Sequence, residues 1–321
     1  MTPTLSDSLV LLGRWLQAQG YRFTTATPAT HARVNARPGN GAAHDLAGIF
    51  GWSRPFAPSL LPEAARDWLR AAGLLDEAGG RLRSRVRFST LDGRLYAHSA
   101  FPTTEDDAVF FGPDTCRFVD AIQAELARQP LPAGARLLDV GCGGGPGGIA
   151  AWAAGGDAGA SLVLADINPR ALAFARANAA LADLPEAQVQ LQQGDLFGPV
   201  EGRFDLVVAN PPYLVDAGER TYRHGGGPLG SRLSLRIVRE GLERLAPGGR
   251  LLLYTGAPIV EGEDPFLRDA APLLAQQGCA WRYRELDPDV FGEELDTPAY
   301  AQAERIAAVL LVAQRPACAA P

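Results

Sequence analysis

Leu137-Leu138-Asp139-Val140-Gly141-Cys142-Gly143-Gly144-Gly145-Pro146-Gly147-Gly148 decides how this chain is read. A short apolar run that carries one carboxylate passes into a turn built almost wholly of glycine. Glycine reaches positive φ at no steric cost and lets a ligand come close to the backbone. The helix that such a turn opens points its unsatisfied N–H groups at the same place. Strand, glycine turn and helix read as the entry of a βαβ unit across whose turn a small molecule can lie, although glycine-rich turns also occur in simple loops.

Working outward, Leu162-Val163-Leu164-Ala165-Asp166 ends a second strand roughly 20 residues later, where a carboxylate can accept two hydrogen bonds from ribose hydroxyls. Asn168, not Asp166, is the better N-cap for the helix that begins at Pro169. Further strands are expected at Arg136 to Val140, Gln188 to Leu191, Phe204 to Ala209 and Arg250 to Tyr254. Helical stretches separate them at Pro169 to Leu181 and Ser231 to Leu245. That alternation predicts an α/β fold, a parallel sheet with helices on both faces. Trp281 to Glu285 and Ile306 to Val312 add two strands able to pair as an antiparallel edge, with Trp281 and Tyr283 expected in the core.

NAD and S-adenosylmethionine both carry an adenosine, so a ribose-binding carboxylate alone does not separate them. The turn here reads GxGxG and not the dinucleotide GxGxxG, the tail supplies an antiparallel pair, and Gly194-Asp195-Leu196-Phe197 follows the third strand. The segment resembles a class I S-adenosylmethionine-dependent methyltransferase. That resemblance implies a Rossmann-like seven-stranded methyltransferase sheet, six strands parallel and one antiparallel, with S-adenosyl-L-methionine as cofactor. It also implies that Gly141 and Gly143 line the methionine part, Asp166 holds the ribose and Asp195 accepts from the adenine amino group. Asp139 would orient the glycine loop or the ligand's amino group, and Gly145, Ile167, Leu196 and Asn210 complete the expected cofactor set.

The buried-strand pattern Phe204 to Ala209 runs straight into Asn210-Pro211-Pro212-Tyr213. Ligands of doubly wound sheets bind at the carboxyl ends of the strands, so this tetrapeptide is the expected catalytic element. A planar amide or exocyclic amine needs its N–H groups held so that the nitrogen lone pair aims at the methyl. The Asn210 side-chain oxygen and the Pro211 carbonyl are suited acceptors. Successive prolines restrict φ and remove donors, Pro212 included, and Tyr213 can stack on the flat group. Asn-Pro and Pro-Pro also favour turns by themselves; it is the position after the fourth strand that gives this one chemistry.

Val109 to Thr115, the NPPY tetrapeptide and Gly225-Gly226-Gly227-Pro228-Leu229 together resemble the protein-glutamine N5-methyltransferase family that modifies release factors, over about residues 108 to 255. Gly112 stands where that family usually has Arg, and Cys116 where it usually has Glu. Thr221-Tyr222-Arg223-His224 departs from its usual Glu-Pro segment. A different acceptor is therefore expected, with Tyr222, Arg223 and His224 in the polar loop as candidate substrate-binding residues.

At 321 residues the chain has room for two domains. Residues 1–108 are expected to form a cap or substrate-recognition domain, 109–132 a linking helix, and 133–321 the catalytic domain. Helical spacing at Leu5 to Gln19 and Leu61 to Ala72 precedes a hairpin of Arg81 to Ser89 and Arg94 to His98 around Leu91-Asp92-Gly93. This suggests a smaller helical, winged-helix-like N-terminal domain.

The net charge of −6 weighs against a phosphate-rich partner, although Arg81, Arg83, Arg85 and Arg87 keep a local basic patch open. Cys116, Cys142, Cys279 and Cys318 form no CxxC pair, and His31, His44, His98 and His224 no HxxxH or HExxH pattern, so no metal is expected. The Leu9 to Leu12 run is broken by Arg14 and Gln17, which argues against a signal peptide, and no apolar stretch is long enough for a membrane span. A cytoplasmic methyltransferase acting on a nitrogen of a protein or small molecule is the expectation. Two alternatives keep the cofactor: intramolecular cyclisation that releases methylthioadenosine, and RNA base N-methylation. Oligomeric state has no sequence signature here.

Overall fold

The structure is a computed structural model that describes residues 3–157, 159–216, 218–220 and 222–317; Thr221 and Cys318, named above, lie outside these. In chain order the helices and strands begin with α1 (Leu5–Ala18), α2 (Pro28–Asn35), α3 (Leu46–Phe50), α4 (Glu63–Ala71), β1 (Leu75–Ala78), β2 (Arg81–Ser84), β3 (Val86–Leu91) and β4 (Arg94–Ser99). They continue with α5 (Pro113–Arg128), β5 (Arg136–Val140), α6 (Pro146–Gly155), β6 (Ser161–Asp166), α7 (Pro169–Leu181), β7 (Val189–Gln193) and β8 (Phe204–Ala209). The last are α8 (Arg232–Glu243), β9 (Leu245–Ile259), α9 (Pro265–Gln276), β10 (Ala280–Asp287) and β11 (Arg305–Gln314). Two compact units result. The first is the chain up to Cys116 with Gly143–Pro146 and Pro169–Ala187; the second is Arg117–Cys142, Gly147–Asn168 and the chain from Gln188 on.

In the first unit α1 starts on a capping box, in which the Thr4 hydroxyl accepts from the Asp7 N–H while the Asp7 carboxylate accepts from the Thr4 N–H. Its Leu9, Leu12 and Leu16 are buried in one core with Phe50, Phe56, Phe88 and Phe174. A Cβ on Gly13 would stand 2.6 Å from Leu181 Cδ1, so any larger residue there would have to displace the Leu181 side chain of α7. The Arg14 guanidinium donates to the Ala180 carbonyl at 2.7 Å, a cation at the C-terminal end of α7 where the helix dipole favours it. The β3–β4 hairpin turns on Asp92 and Gly93, both at positive φ, as the sequence indicates.

The stretch Arg81 to Ser89, expected as one strand, divides at Arg85. Its first half pairs antiparallel with β1 and its second with β4. The missed hairpin turns on Gly79 and Gly80, both at positive φ. Nor do the four arginines form one basic face: Arg87 is buried, and Arg85 is ion-paired with Glu105.

The second unit is built on one seven-stranded sheet in the order β10-β11-β9-β8-β5-β6-β7. The ladders from β9 to β7 are parallel, and β11 lies antiparallel to both of its neighbours, which gives six strands in one sense and one in the other. Ile237, Val238 and Leu242 of α8 and Phe266, Ala270 and Leu274 of α9 share a buried cluster with Leu138, Val140, Val163, Val207 and Leu251. On the other face Gly148 of α6 sits so close to Leu162 and Leu164 that a Cβ would fall within about 3 Å of both.

β9 runs five residues past the expected end at Tyr254. Gly256 and Pro258 are poor strand formers, and it is the register Arg305↔Ile259 to Gln314↔Arg250 with β11 that extends it. Trp281, expected in the core, is 40% exposed on the edge strand β10, because a sheet edge has a neighbour on one side only; Tyr283 packs partly against the core as expected. No helix among the described residues is long and apolar enough to cross a membrane.

Beneath the sheet Glu125 of α5 is 4% exposed, with its carboxylate between Arg250 at 3.1 Å and Arg282 at 2.6 Å; Arg250 is 3% exposed and also donates to the Gln129 carbonyl. Removing one partner of a buried ion pair leaves a charge without compensation. Glu125→Ala is therefore expected to cost about 3–5 kcal/mol, while the double change Glu125→Met/Arg250→Met costs much less. Urea unfolding followed by circular dichroism reads both, and a single variant with a wild-type midpoint would contradict the role given to the triad.

Candidate active site

Strand register builds the site. Val140 of β5 lies opposite Ala165 of β6 and Ala209 of β8, so the carboxyl ends of the three strands align to within one residue. The next residue of each is a predicted site residue: Gly141, Asp166 and Asn210. With strands about 4.8 Å apart, a glycine turn, a carboxylate and an amide stand along one rim. β7 continues the row, since Gln193 pairs with Asp166, and the Gly194 N–H then donates to the Asp166 carbonyl at 3.1 Å.

Gly141, Gly143 and Gly145 all adopt positive φ (63°, 54° and 80°), the backbone that their identity allows. A Cβ built on Gly141 or Gly143 would meet nothing within 4 Å. Glycine is needed there for the turn, and the side of the turn that a side chain would cover stays open to a ligand. The Cys142 N–H donates to the Ala165 carbonyl at 3.0 Å, which ties the turn to β6. Burial pushes the Cys142 thiol well above its ordinary pKa, which makes it a poor nucleophile.

Asp139, in β5, turns its carboxylate to the first turn of α6. Buried, it accepts from the Gly148 N–H at 2.7 Å, satisfying one of the unpaired donors of α6. Burial pushes its carboxyl up to about 7, against the lowering effect of the Gly148 N–H and with a further raising contribution from the Asp166 charge. Asn178 of α7 went unnoticed in the sequence. Its amide accepts from the Ala97 N–H at 2.7 Å and donates to the carbonyls of Ala97 and of Gly144 at 3.1 and 2.9 Å, which anchors the glycine loop from a buried position.

Asp166, Ile167, Asp195 and Leu196, expected at the nucleoside end, lie at or just beyond the carboxyl ends of β6 and β7. One Asp166 oxygen accepts from the Asn168 N–H at 2.8 Å, which turns the chain into α7. Ile167 is 53% exposed, an apolar side chain held in solvent next to that carboxylate and able to cover one face of a flat ring. Asp195 is salt-bridged by Arg236 at 2.9 Å. Leu196, at φ 47°, turns its side chain into the core beside Phe197. Open glycine backbone, a carboxylate at a strand end and an exposed apolar face are the chemistry that an adenosine with an amino-acid tail requires, and S-adenosylmethionine fits this set.

NPPY sits in a tight frame. The Asn210 amide and the Pro211 carbonyl have no hydrogen-bond partner among the described residues, so both remain available to a ligand. Tyr213 is 6% exposed, at 5.9 Å and 70° to Phe291 and over Gly256, where a Cβ would stand 2.4 Å from its ring. Gly225 and Gly230 press on the backbone of this turn, so close that a Cβ would fall 2.7 Å from the Pro212 carbonyl and 2.1 Å from that of Tyr213.

The loop after NPPY is braced by ions. Arg220 and Arg223 both pair with Asp216, Arg223 also pairs with Glu294, and the Arg220 hydrogen bonds hold the Asp216 carboxyl down at about 2. Tyr222 accepts from Arg220 at 3.2 Å, and His224 Nδ1 accepts from the Asp216 N–H at 3.2 Å. The three candidate substrate residues are thus brought together as parts of one network. Tyr300, not foreseen, accepts from the Val215 N–H at 2.9 Å through its hydroxyl.

The family model described as Methyltransferase small domain matches residues 121–258. The release factor glutamine methyltransferase of Deinococcus radiodurans is 32% identical over 224 residues, which cover 67% of this chain and 74% of that protein. This chain belongs to the release factor glutamine methyltransferase family. The same-named protein of Yersinia pestis is 34% identical over 257 residues, 75% of this chain and 84% of its own. A ribosomal RNA small subunit methyltransferase C of Chromohalobacter salexigens is 37% identical over 130 residues, 39% of this chain and a third (33%) of its own. The protein is an S-adenosylmethionine-dependent methyltransferase, as the glycine turn and Asp166 led us to expect.

Asp139 generates a pH dependence with a definite sign. Its folded value of about 7 lies above the ordinary 3.8, so the native state holds the proton more tightly than the unfolded chain. Its contribution to stability is complete below pH 3.8 and is lost as pH rises through about 7. Asp139→Asn, which keeps an acceptor for the Gly148 N–H, is expected to flatten the stability profile across that window. Unfolding midpoints of both proteins measured along a pH series check this, and parallel profiles would refute it.

Proposed function

We propose that this enzyme transfers a methyl group to a side-chain carboxamide nitrogen of a protein. The observation that carries the reading is the uncommitted acceptor pair, the Asn210 side-chain oxygen and the Pro211 carbonyl, one strand away from the open glycine turn. A carboxamide nitrogen has two N–H groups and a delocalised lone pair. Two fixed acceptors take the N–H groups, twist the nitrogen out of conjugation and direct its lone pair. Asp166 would hold the ribose, Asp195 and Ile167 the adenine end, and the Gly141 to Gly145 turn the amino-acid end of the cofactor. Bound S-adenosylmethionine supplies an activated methyl on a sulfonium.

What this chain adds is alignment, which lowers the barrier without a strong base. Buried under Phe291 and over Gly256, Tyr213 acts as the support that keeps Asn210 and Pro211 in place. Residues 1–108 are assigned to acceptor recognition and 109–132 to the link, with Tyr222, Arg223 and His224 at the acceptor side. The names of the Deinococcus and Yersinia relatives support a glutamine as the acceptor class. The departures at Gly112, Cys116 and Tyr222 to His224 favour a different partner protein, encountered in the cytoplasm. An adenine amino group offers the same planar geometry, and the name of the Chromohalobacter relative keeps RNA as the second reading.

Incubation with methyl-labelled S-adenosylmethionine and cell extract separated into protein, RNA and small molecules is expected to label protein, with S-adenosylhomocysteine as the co-product. Label in RNA would move the assignment to the second reading. Methylthioadenosine without transferred label would point to cyclisation and overturn both. Asn210→Ala is expected to lower kcat by roughly 100-fold with cofactor uptake intact. Asp166→Ala should weaken cofactor uptake roughly 10- to 100-fold by calorimetry.

A further inference from the structure

The opposite rim of the sheet carries a second polar site. An open cavity of about 590 Å³ is lined by Gly202, Arg203, Glu243, Arg244, Gln277 and Arg315. Arg203 immediately precedes β8, Arg244 precedes β9 and Arg315 follows the antiparallel β11, so three arginines far apart in the chain converge where these strands begin or end. β8 has its other end at Asn210; at about 3.3 Å per residue its six residues keep this cavity roughly 20 Å from the methyl-transfer site.

Two of the guanidiniums share an anchor. Arg203 donates through Nη1 to the Glu243 and Leu245 carbonyls at 2.9 and 3.0 Å, and Arg315 through Nη1 to the same Leu245 carbonyl at 2.9 Å. Two cations held on one oxygen repel each other, and a carbonyl does not neutralise them. Among the described residues no carboxylate lies within salt-bridge distance of Arg203, Arg244 or Arg315, although many arginines of this acidic chain, including Arg220, Arg236 and Arg305, are paired. Glu243 is the one carboxylate on the lining, and it forms no ion pair with any of the three. Each anchored guanidinium keeps further N–H donors, and Arg244 keeps all of its own.

We propose that this cavity binds a phosphate group at a site separate from the methyl donor. A carboxylate would neutralise one cation through two coplanar oxygens. A phosphate carries up to two charges and directs its oxygens tetrahedrally, which suits guanidinium forks arriving from three chain segments. The phosphate has two sources, a small phosphorylated molecule or the phosphodiester of a nucleic acid.

The test titrates the full chain calorimetrically with inorganic pyrophosphate and, separately, with a short single-stranded RNA, at constant ionic strength set with chloride. Wild type is expected to saturate with at least one probe. Arg244→Gln should weaken that binding at least tenfold and Arg244→Gln/Arg315→Gln at least a hundredfold, with S-adenosylmethionine uptake unchanged as a control for folding. Glu243→Gln keeps every arginine and should tighten binding, so the site remains testable if the double variant is unstable. Tighter RNA binding lost in the same variants assigns the phosphodiester, and pyrophosphate binding without it assigns the small molecule. Absence of saturable binding of either probe, or binding indifferent to all of these substitutions, overturns the proposal.

Discussion

The parallel ladder of β8, β5 and β6 is the constraint on which the candidate site depends. These strands are apolar on both faces, with Val140, Ala165 and Ala209 in one core and Leu162, Leu164 and Leu206 turned to the other side. Because side chains alternate with a period of two, a slip of one residue would exchange the faces and leave each layer mismatched. The register is thereby held by core packing along the whole strand. Its consequence is that Gly141, Asp166 and Asn210, at the carboxyl ends of the three strands, become neighbours without any loop having to find its place.

The loops that follow are stiffened by close backbone approach more than by side-chain bonds. Glycine at 225 and 230 lets one turn lie directly on the Pro212-Tyr213 backbone, and Gly256 admits the Tyr213 ring. From β10 to β11 the chain adds Phe291, Glu294 and Tyr300, which reach the ring, the Arg223 guanidinium and the Val215 amide in turn. Phe291 sits at φ 55°, unusual for a bulky residue. Its neighbours hold it there, which is how local strain persists beside functional groups. Close backbone packing of this kind fixes the position of the Asn210 and Pro211 oxygens more tightly than side-chain bonds alone would.

Electrostatics are arranged differently at the two ends of the same strands. Around NPPY the arginines are matched with carboxylates, Asp216 and Glu294, and the network is internally neutralised. At the far rim Arg203 and Arg315 are held by carbonyls alone. Under the sheet Arg250 and Arg282 share Glu125, where desolvation makes a partner obligatory. One residue type serves three purposes here, and what separates them is whether a carboxylate is within reach.

The strand, turn and helix segments around the cofactor were legible because their determinants are local. Apolar runs of strand length, glycines at positions of positive φ, and a carboxylate or an Asn-Pro turn at a strand end can each be read from a few consecutive residues, and Arg136–Val140, Phe204–Ala209 and Pro169–Leu181 came out with the expected bounds. Asn178, Glu125 and Tyr300 left no such trace, because each acts on a partner distant in sequence: Ala97 and Gly144, Arg250, and Val215. The extension of β9 through Gly256 and Pro258 and the division of the strand at Arg85 were hidden for the same reason, since pairing partners override intrinsic propensity. By itself the sequence determined the fold class, the cofactor and the residues at the strand ends. Only the tertiary structure decided which buried polar groups hold those residues and which arginines are neutralised, because hydrogen bonds and ion pairs depend on distances between chain segments that no local pattern encodes.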